Sequence, residues 1–415
     1  MNLLVVVVDR LHAGFLGCYG NAWVATPHMN RLAAEGFLLD QAYVDRPDLN
    51  SACQTWWTGT HVLERQTGGP LPHLARQLKQ LGLMTTCLTD EPIVAEHPLT
   101  REFDEVIRVG LAAGESEPTT AMSSPEESRL AHVFASAAQF LQTAREPFCL
   151  WLHSRGLDAP WDAPRSFREQ YADEDEAPPP TWTQPPRRWL SERDDPDLMW
   201  GVCQAYAGQV SLLDECLGAL FESLADAQLL DDTLLALVGA RGFTLGRNGR
   251  LGDVDQALFG ELVQTPLILR FPDGLGAAAR SSSLAQACDL APTLLDAVGI
   301  APPAGGWGRS LLPLARNEAF ALRDRLALVG AAGETGLRTP AWYLRMPAAA
   351  SESLEEPLPE LYAKPDDRWE VNDVADRCPE VVRSLQAAWV DLRQNLESGA
   401  SLPPLDDSLV NDLRG

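Results

Sequence analysis

The chain has 415 residues, 45% of them hydrophobic and 22% charged, with a formal net charge of -25. That size and balance exclude a disordered or fibrous protein and suit a large core domain with a smaller appendage. The excess of acid repels nucleic acid, anionic lipid and polysulfated polymers at long range.

Eight cysteines are scattered without a C-x-x-C pair, so neither a zinc ribbon nor a disulfide framework is expected, and free thiols fit a reducing compartment. The opening run after Met1-Asn2, LLVVVV, has no basic residues before it and ends early at Asp9-Arg10. It reads as a first buried strand, and the expectation is a cytoplasmic protein without a membrane span.

Residues 3 to 8 read as a central parallel strand buried on both faces. Thr26-Pro27 then opens a helix that Gly36 stops, with Thr26 placed to cap it. FLLDQAYV returns as a strand, and MTTCLT, FCLWLH, TLLALVG and TPLILRF follow as strands alternating with helices. This alternation predicts a doubly wound, mostly parallel α/β sheet with helices on both faces. Tyr206, Val210, Leu213, Leu217, Leu220 and Leu224 recur at helical spacing and read as core.

Two surface excursions interrupt the pattern, near 110–128 and 172–197. The second, with Pro178, Pro179 and Pro180, reads either as a lid or as a rigid spacer, and Trp182, Trp189 and Trp200 flank it. After residue 315 short strands such as AWYLRM and a helix near 379–396 predict a small C-terminal α+β subdomain. The expected division is therefore 1–315 for the core and 316–415 for the appendage. His12, His28, His73 and His153 have no ligand spacing and read as structural or surface residues.

VVVVDRLHAGFLGCYGN, TPHMNRLAAEGF, AYVDRP, TWWTGTH, the stretch AYAGQVSLLDECLGALFESLADAQLLDDTLLALVG, TPLILRFP, CDLAPTLLDAVGI, GRSLLPL and PELYAKPDDRWEVNDVAD follow one another in order. In that order they resemble the sulfatase family of the alkaline phosphatase superfamily, which implies its fold and a metal-assisted ester hydrolysis. The resemblance implies four metal-ligand slots, filled here by Asp9, Arg10, Ala240 and Arg241, and a nucleophile slot filled by Leu49. Cys53 stands at the family's motif arginine, Asp90 and Asp158 where a lysine or histidine is common, and Asp255 in a downstream lysine slot.

Arginine has no lone pair for a hard cation, and leucine cannot attack an ester. Cations thus replace metal ligands while acids replace cations, which suggests a compensating cluster of Asp9, Arg10, Arg241, Asp158 and Asp255. The other reading leaves these side chains hydrated in an eroded cleft.

Three functions remain open. The first is a catalytically degenerate protein that binds a small molecule or a protein partner and needs no cofactor. The second is a sulfuric or phosphoric ester hydrolase with rearranged groups such as Ser51, Cys53, Asp9 and Asp158, which would need a divalent ion such as calcium. The third is a structural subunit of an oligomer.

Overall fold

The structure, a computed structural model, describes residues 1–65, 72–110, 116–173, 178–191, 193–255, 257–302, 306–348 and 357–410. The strands are β1 (Asn2–Val8), β2 (Phe37–Tyr43), β3 (Met84–Thr89), β4 (Glu105–Arg108), β5 (Phe148–Ser154), β6 (Arg188–Trp189), β7 (Thr233–Gly239), β8 (Arg250–Leu251), β9 (Leu267–Arg270), β10 (Ala279–Gln286), β11 (Leu326–Val329), β12 (Thr335–Arg338), β13 (Trp342–Met346) and β14 (Glu360–Ala363). The principal helices are α1 (Pro27–Glu35), α2 (Leu49–Thr58), α3 (Arg129–Thr143), α4 (Pro196–Asp226) and α5 (Pro379–Ser398).

Eight strands form the main sheet in the order β10-β2-β9-β7-β1-β5-β3-β4. The run from β7 to β4 is parallel, whereas β9 lies antiparallel to both β7 and β2. Every residue of β1 is buried, as its uninterrupted apolar run requires of a central parallel strand. Its register pairs Val8 with Ser154 of β5 and with Gly239 of β7, and Thr89 of β3 pairs with His153. Four neighbouring strands therefore end at one level, and the residues that follow them emerge together at the carboxyl edge, where open α/β sheets build their sites.

The chain divides into two compact units: 1–40, 75–254 and 265–280 form the first, and 41–74, 255–264 and 281–415 the second. The second unit thus draws on more of the chain than the segment 316–415. In the first, α4 buries Tyr206, Val210, Leu213, Leu217, Leu220 and Leu224 in the same core as β1, β5 and β7. The start of α1 departs from expectation. The Thr26 hydroxyl accepts from the Gly17 amide at 2.9 Å, and the Asp214 carboxylate of α4 accepts the His28 and Met29 amides at 3.0 and 2.8 Å. A capping oxygen from a distant helix satisfies the first-turn donors equally well, and sequence-local rules do not register it.

In the second unit β11-β12-β13-β14 form an antiparallel sheet. Helix α5 buries Leu385, Trp389, Leu392 and Leu396 in one core with Leu337, Leu344 and Leu361. Among the described residues no helix is long and apolar enough to cross a membrane. Of the two excursions, 111–115, 174–177 and 192 lie outside the described residues.

Candidate functional site

At the carboxyl edge of the first unit's sheet, Asp9 follows β1, Asp158 lies four residues past β5, and Ala240 and Arg241 follow β7. Backbone hydrogen bonds fix these turns, from the Asp9 amide to the Ser154 carbonyl (3.0 Å), the Leu157 amide to the Asp9 carbonyl (3.0 Å) and the Ala240 amide to the Val8 carbonyl (2.9 Å). Gly156 makes the crossing possible: its φ is +55°, and a Cβ there would lie 2.5 Å from Val8 Cγ1 and 2.9 Å from the Asp9 carbonyl oxygen. Arg10 takes the left-handed conformation at φ 61°, unusual for a residue with a Cβ. The hydroxyl of Tyr206 from α4 holds it there, donating to the Arg10 carbonyl at 2.5 Å and accepting from the His12 amide at 2.9 Å.

The side chains form two linked arrangements. The Arg241 guanidinium forks both oxygens of Asp9, Nε to Oδ1 and Nη2 to Oδ2, each at 2.9 Å, while Oδ1 also accepts the Arg10 amide at 3.0 Å. Joined to this pair through Arg10 is a closed ring of Arg10, Asp158, Arg187 and Asp253. Arg10 donates from Nε to Asp158 Oδ1 at 3.0 Å and from Nη2 to Asp253 Oδ2, and Arg187 donates from Nη2 to Asp158 Oδ1 at 2.7 Å and from Nη1 to Asp253 Oδ1 at 2.8 Å. Three guanidinium groups thus meet three carboxylates, and the assembly is formally neutral. Asp9 is fully buried and Arg10 is 1% exposed, whereas Arg187 is 36% exposed. Buried charges survive only in such fully paired arrangements.

The electrostatics follow from these contacts. Burial opposes ionisation of Asp158 and Asp253, but Arg10, Arg187 and Arg241 outweigh it and hold both carboxyls below their usual range. Burial also disfavours the charge of Arg241, and the Asp9 carboxylate more than offsets this, so its pKa is raised. Burial pushes His153 down to about 4, and it pushes Asp90 up to about 6 although the Arg155 amide donates to its carboxylate at 2.8 Å. Burial likewise raises Glu91.

These shifts set a pH profile with opposing signs. A depressed histidine adds stability above its ordinary value of 6.5 that is lost as pH falls toward about 4. A raised carboxyl acts oppositely: Asp90 stabilises below 3.8 and that contribution is lost as pH rises through about 6. Between these limits the two offset one another, whereas Asp158 and Asp253 stabilise above 3.8 and lose their contribution as pH falls through their depressed folded values. Glu91, also raised, acts in the same direction as Asp90, so denaturant midpoints should not decline between pH 6 and 4 on account of this site and should fall below the ordinary Asp value of 3.8. A steady decline from pH 6 downward would contradict the balance.

Of the residues singled out in the sequence, Asp9, Arg10, Asp158 and Arg241 come together. Asp255 is a correction: it belongs to the second unit, with its Oδ1 accepting the Ala257 amide at 3.2 Å, and Asp253, two residues earlier, closes the ring. Between Leu251, the end of β8, and Gly260 the described residues form no strand or helix, so no period fixes the register there. Arg187 was missed altogether because it lies in an aperiodic Pro-rich segment. The adjacent pair Arg187-Arg188, just after two prolines, is the one hint the sequence offers.

Leu49 is the first residue of α2 in the second unit and is 3% exposed, with Ser51 half-buried and Cys53 fully buried a turn later. The cap of α2 is Asp48, which accepts the Ser51 amide at 2.9 Å. His12 and His153 are both buried, and His12 Nδ1 accepts the Gly14 amide at 2.8 Å. Trp182 lies 5.9 Å from Trp161, Trp200 stacks on Trp23 at 5.2 Å, and the Arg250 guanidinium lies over Trp189 at 4.3 Å. These contacts seat the Pro-rich segment and the start of α4 on the first unit.

The residues present do not fit the divalent cation that the resemblance implies. A hard cation needs several oxygen or imidazole donors with lone pairs to spare. Of the four slots only Asp9 supplies a carboxylate, and both its oxygens already accept from Arg241. Among the described residues no group of three or more His, Cys, Asp or Glu side chains is placed to hold a metal ion.

Comparison with known proteins bears on this geometry. The chain is 34% identical over 113 residues to the N-acetylglucosamine-6-O-sulfatase of Bacteroides thetaiotaomicron, covering 27% of this chain and 20% of that one. It is 23% identical over 349 residues to human iduronate 2-sulfatase, covering 69% and 61% respectively. The chain thus spans a fifth to three fifths of the length of these curated relatives. In fold it is similar to the phosphonate monoester hydrolase of Agrobacterium radiobacter, with a TM-score of 0.76 at 17% identity over 95% of this chain and 96% of the other. A second phosphonate monoester hydrolase, from Silicibacter pomeroyi, gives 0.70 at 19% identity over 95% of each chain. The family model described as Sulfatase matches residues 1–300. With that model matched over more than half of its length, the chain belongs to the sulfatase family.

Proposed function

We propose that this protein is a catalytically degenerate sulfatase-like protein, which uses the carboxyl edge of its sheet to bind a ligand without hydrolysing it. The observation that carries the reading is the fork between Arg241 and Asp9, whose two bonds of 2.9 Å fill the one carboxylate left among the four ligand slots. Ester hydrolysis in an anionic site needs a positive centre that also generates or orients a nucleophile. A guanidinium supplies charge, but it cannot lower the pKa of a bound water or present an attacking oxygen.

The nucleophile slot supports the same reading. Leu49 has no group that attacks, and Cys53 is fully buried one helical turn away. The relatives named above are sulfatases and phosphonate monoester hydrolases by description, so aryl sulfate, aryl phosphate monoester and aryl phosphonate monoester are the substrates to assay. The expected result is no turnover above buffer with or without added calcium. Turnover that disappears in Ser51→Ala or Cys53→Ala would instead establish a rearranged hydrolase.

A further inference from the structure

Asp45 lies two residues past β2, in the second unit, and is 2% exposed. Its carboxyl has few partners for so deep a position. Among the described residues Oδ1 has no hydrogen-bond partner, and Oδ2 has only long contacts, 3.4 Å from the Val62 amide and 3.5 Å from the Thr55 hydroxyl of α2. The Arg323 guanidinium, whose positive charge reaches Asp45, is forked to Asp289. Asp289 and Glu64 add negative charge around Asp45, and burial keeps the neighbouring Cys288 a neutral thiol.

His61 does not supply the missing positive charge. Its Nε2 is 3.8 Å from Asp45 Oδ2 and 3.1 Å from the Ala327 carbonyl of β11, while its Nδ1 accepts the Leu63 amide at 3.1 Å. A backbone amide only donates, so Nδ1 carries no proton, Nε2 donates to Ala327, and the ring is neutral. Burial acts the same way and pushes His61 down to about 4. A carboxylate at Asp45 would therefore be a buried charge without a partner, which is strongly unfavourable. Burial accordingly holds the carboxyl well above its usual range, with the like charge of Asp289 adding to the effect.

We propose that Asp45 is held as a neutral acid and forms a proton-dependent joint between the β2–α2 corner and β11, so that opening the joint releases a proton to water. The backbone places it there: the Asp45 carbonyl accepts the Val329 amide of β11 at 2.9 Å, and Asp48, three residues on, caps α2. A raised carboxyl stabilises the closed joint fully below 3.8 and loses that contribution as pH rises from there to its folded value. His61 has the opposite sign, stabilising above 6.5 and losing that contribution as pH falls toward about 4. The joint is built from the second unit alone and is independent of the ligand-binding reading of the first.

Amide exchange at Val329, followed in the full chain as wild type and as Asp45→Asn between pH 5 and 6, tests the joint. The ratio of the wild-type rate to the variant rate should rise about tenfold per pH unit, the slope for one proton released on opening. His61 titrates in both proteins and cancels in the ratio. A ratio that stays flat would overturn the proposal. Infrared difference spectra at pH 6, wild type minus Asp45→Asn, should show the carbonyl stretch of a protonated carboxyl, and carboxylate bands in its place would overturn the proposal equally. Should Asp45→Asn fail to fold, carbon NMR of the wild type labelled at aspartate decides: the Asp45 carboxyl carbon should keep its protonated shift at pH 6, and a carboxylate shift there would contradict the neutral acid.

Discussion

Replacing Arg241 by alanine is expected to destabilise the protein by about 3–5 kcal/mol, the cost of leaving a buried charge without its partner. Asp9 is fully buried, and the Arg241 fork supplies both of its side-chain partners, leaving only the Arg10 amide on Oδ1. Arg10 Nε is 3.9 Å from Asp9 Oδ2, too far for a good hydrogen bond and already committed to Asp158 at 3.0 Å. The second variant in the cycle, Asp9→Asn, removes the charge while keeping the shape. In the double variant most of the loss should return, with a coupling above about 1.5 kcal/mol, as expected for groups in direct contact. Urea unfolding of the four proteins measures it. Additive losses would mean that Asp9 does not depend on Arg241 for its charge.

The second unit contains an ion pair that is more deeply buried, Arg323 being 1% exposed against 11% for Arg241, and its loss should be comparable. Arg323 and Asp289 are 1% and 0% exposed and meet through two hydrogen bonds of 2.6 Å, and Arg323 also donates to the Trp307 carbonyl at 3.0 Å. Asp289 keeps the Gln286 and Arg309 amides, at 2.7 and 2.8 Å, after the guanidinium is removed. Those two donors solvate the carboxylate in part, so Arg323→Ala belongs near the lower end, about 3 kcal/mol. Arg280→Ala provides the contrast: its pair with Asp40 is formed by a side chain 57% exposed, and surface pairs are worth about 0–1 kcal/mol. A loss from Arg323→Ala no larger than from Arg280→Ala would show that burial does not set the strength of this pair.

What the sequence made legible follows from how local each cause is. The strand at 233–239 coincides with the apolar run that announced it, because burial on both faces leaves a continuous signal. Asp9, Arg10 and Arg241 stand out because each lies within two residues of such a strand's end, where a change of charge sign is easy to see. Asp253 and Arg187 lie in turns and in a Pro-rich segment, where no period fixes the register. The slip from Asp255 to Asp253 is the result. The cap of α1 escaped for a related reason: Asp214 is 185 residues from Met29, and only the folded helix α4 brings it there. Residues that close a site from loops are specified by tertiary contacts, and those leave no mark on local sequence pattern.

The Arg241 guanidinium neutralises Asp9 at the strand ends through two bonds of 2.9 Å, in the place the resemblance gives to a divalent ion. Calorimetric titration of the intact, chelator-stripped protein with calcium tests it most directly. The account predicts no saturable heat and no change in Tm; stoichiometric calcium binding that is lost in Asp9→Asn would contradict it.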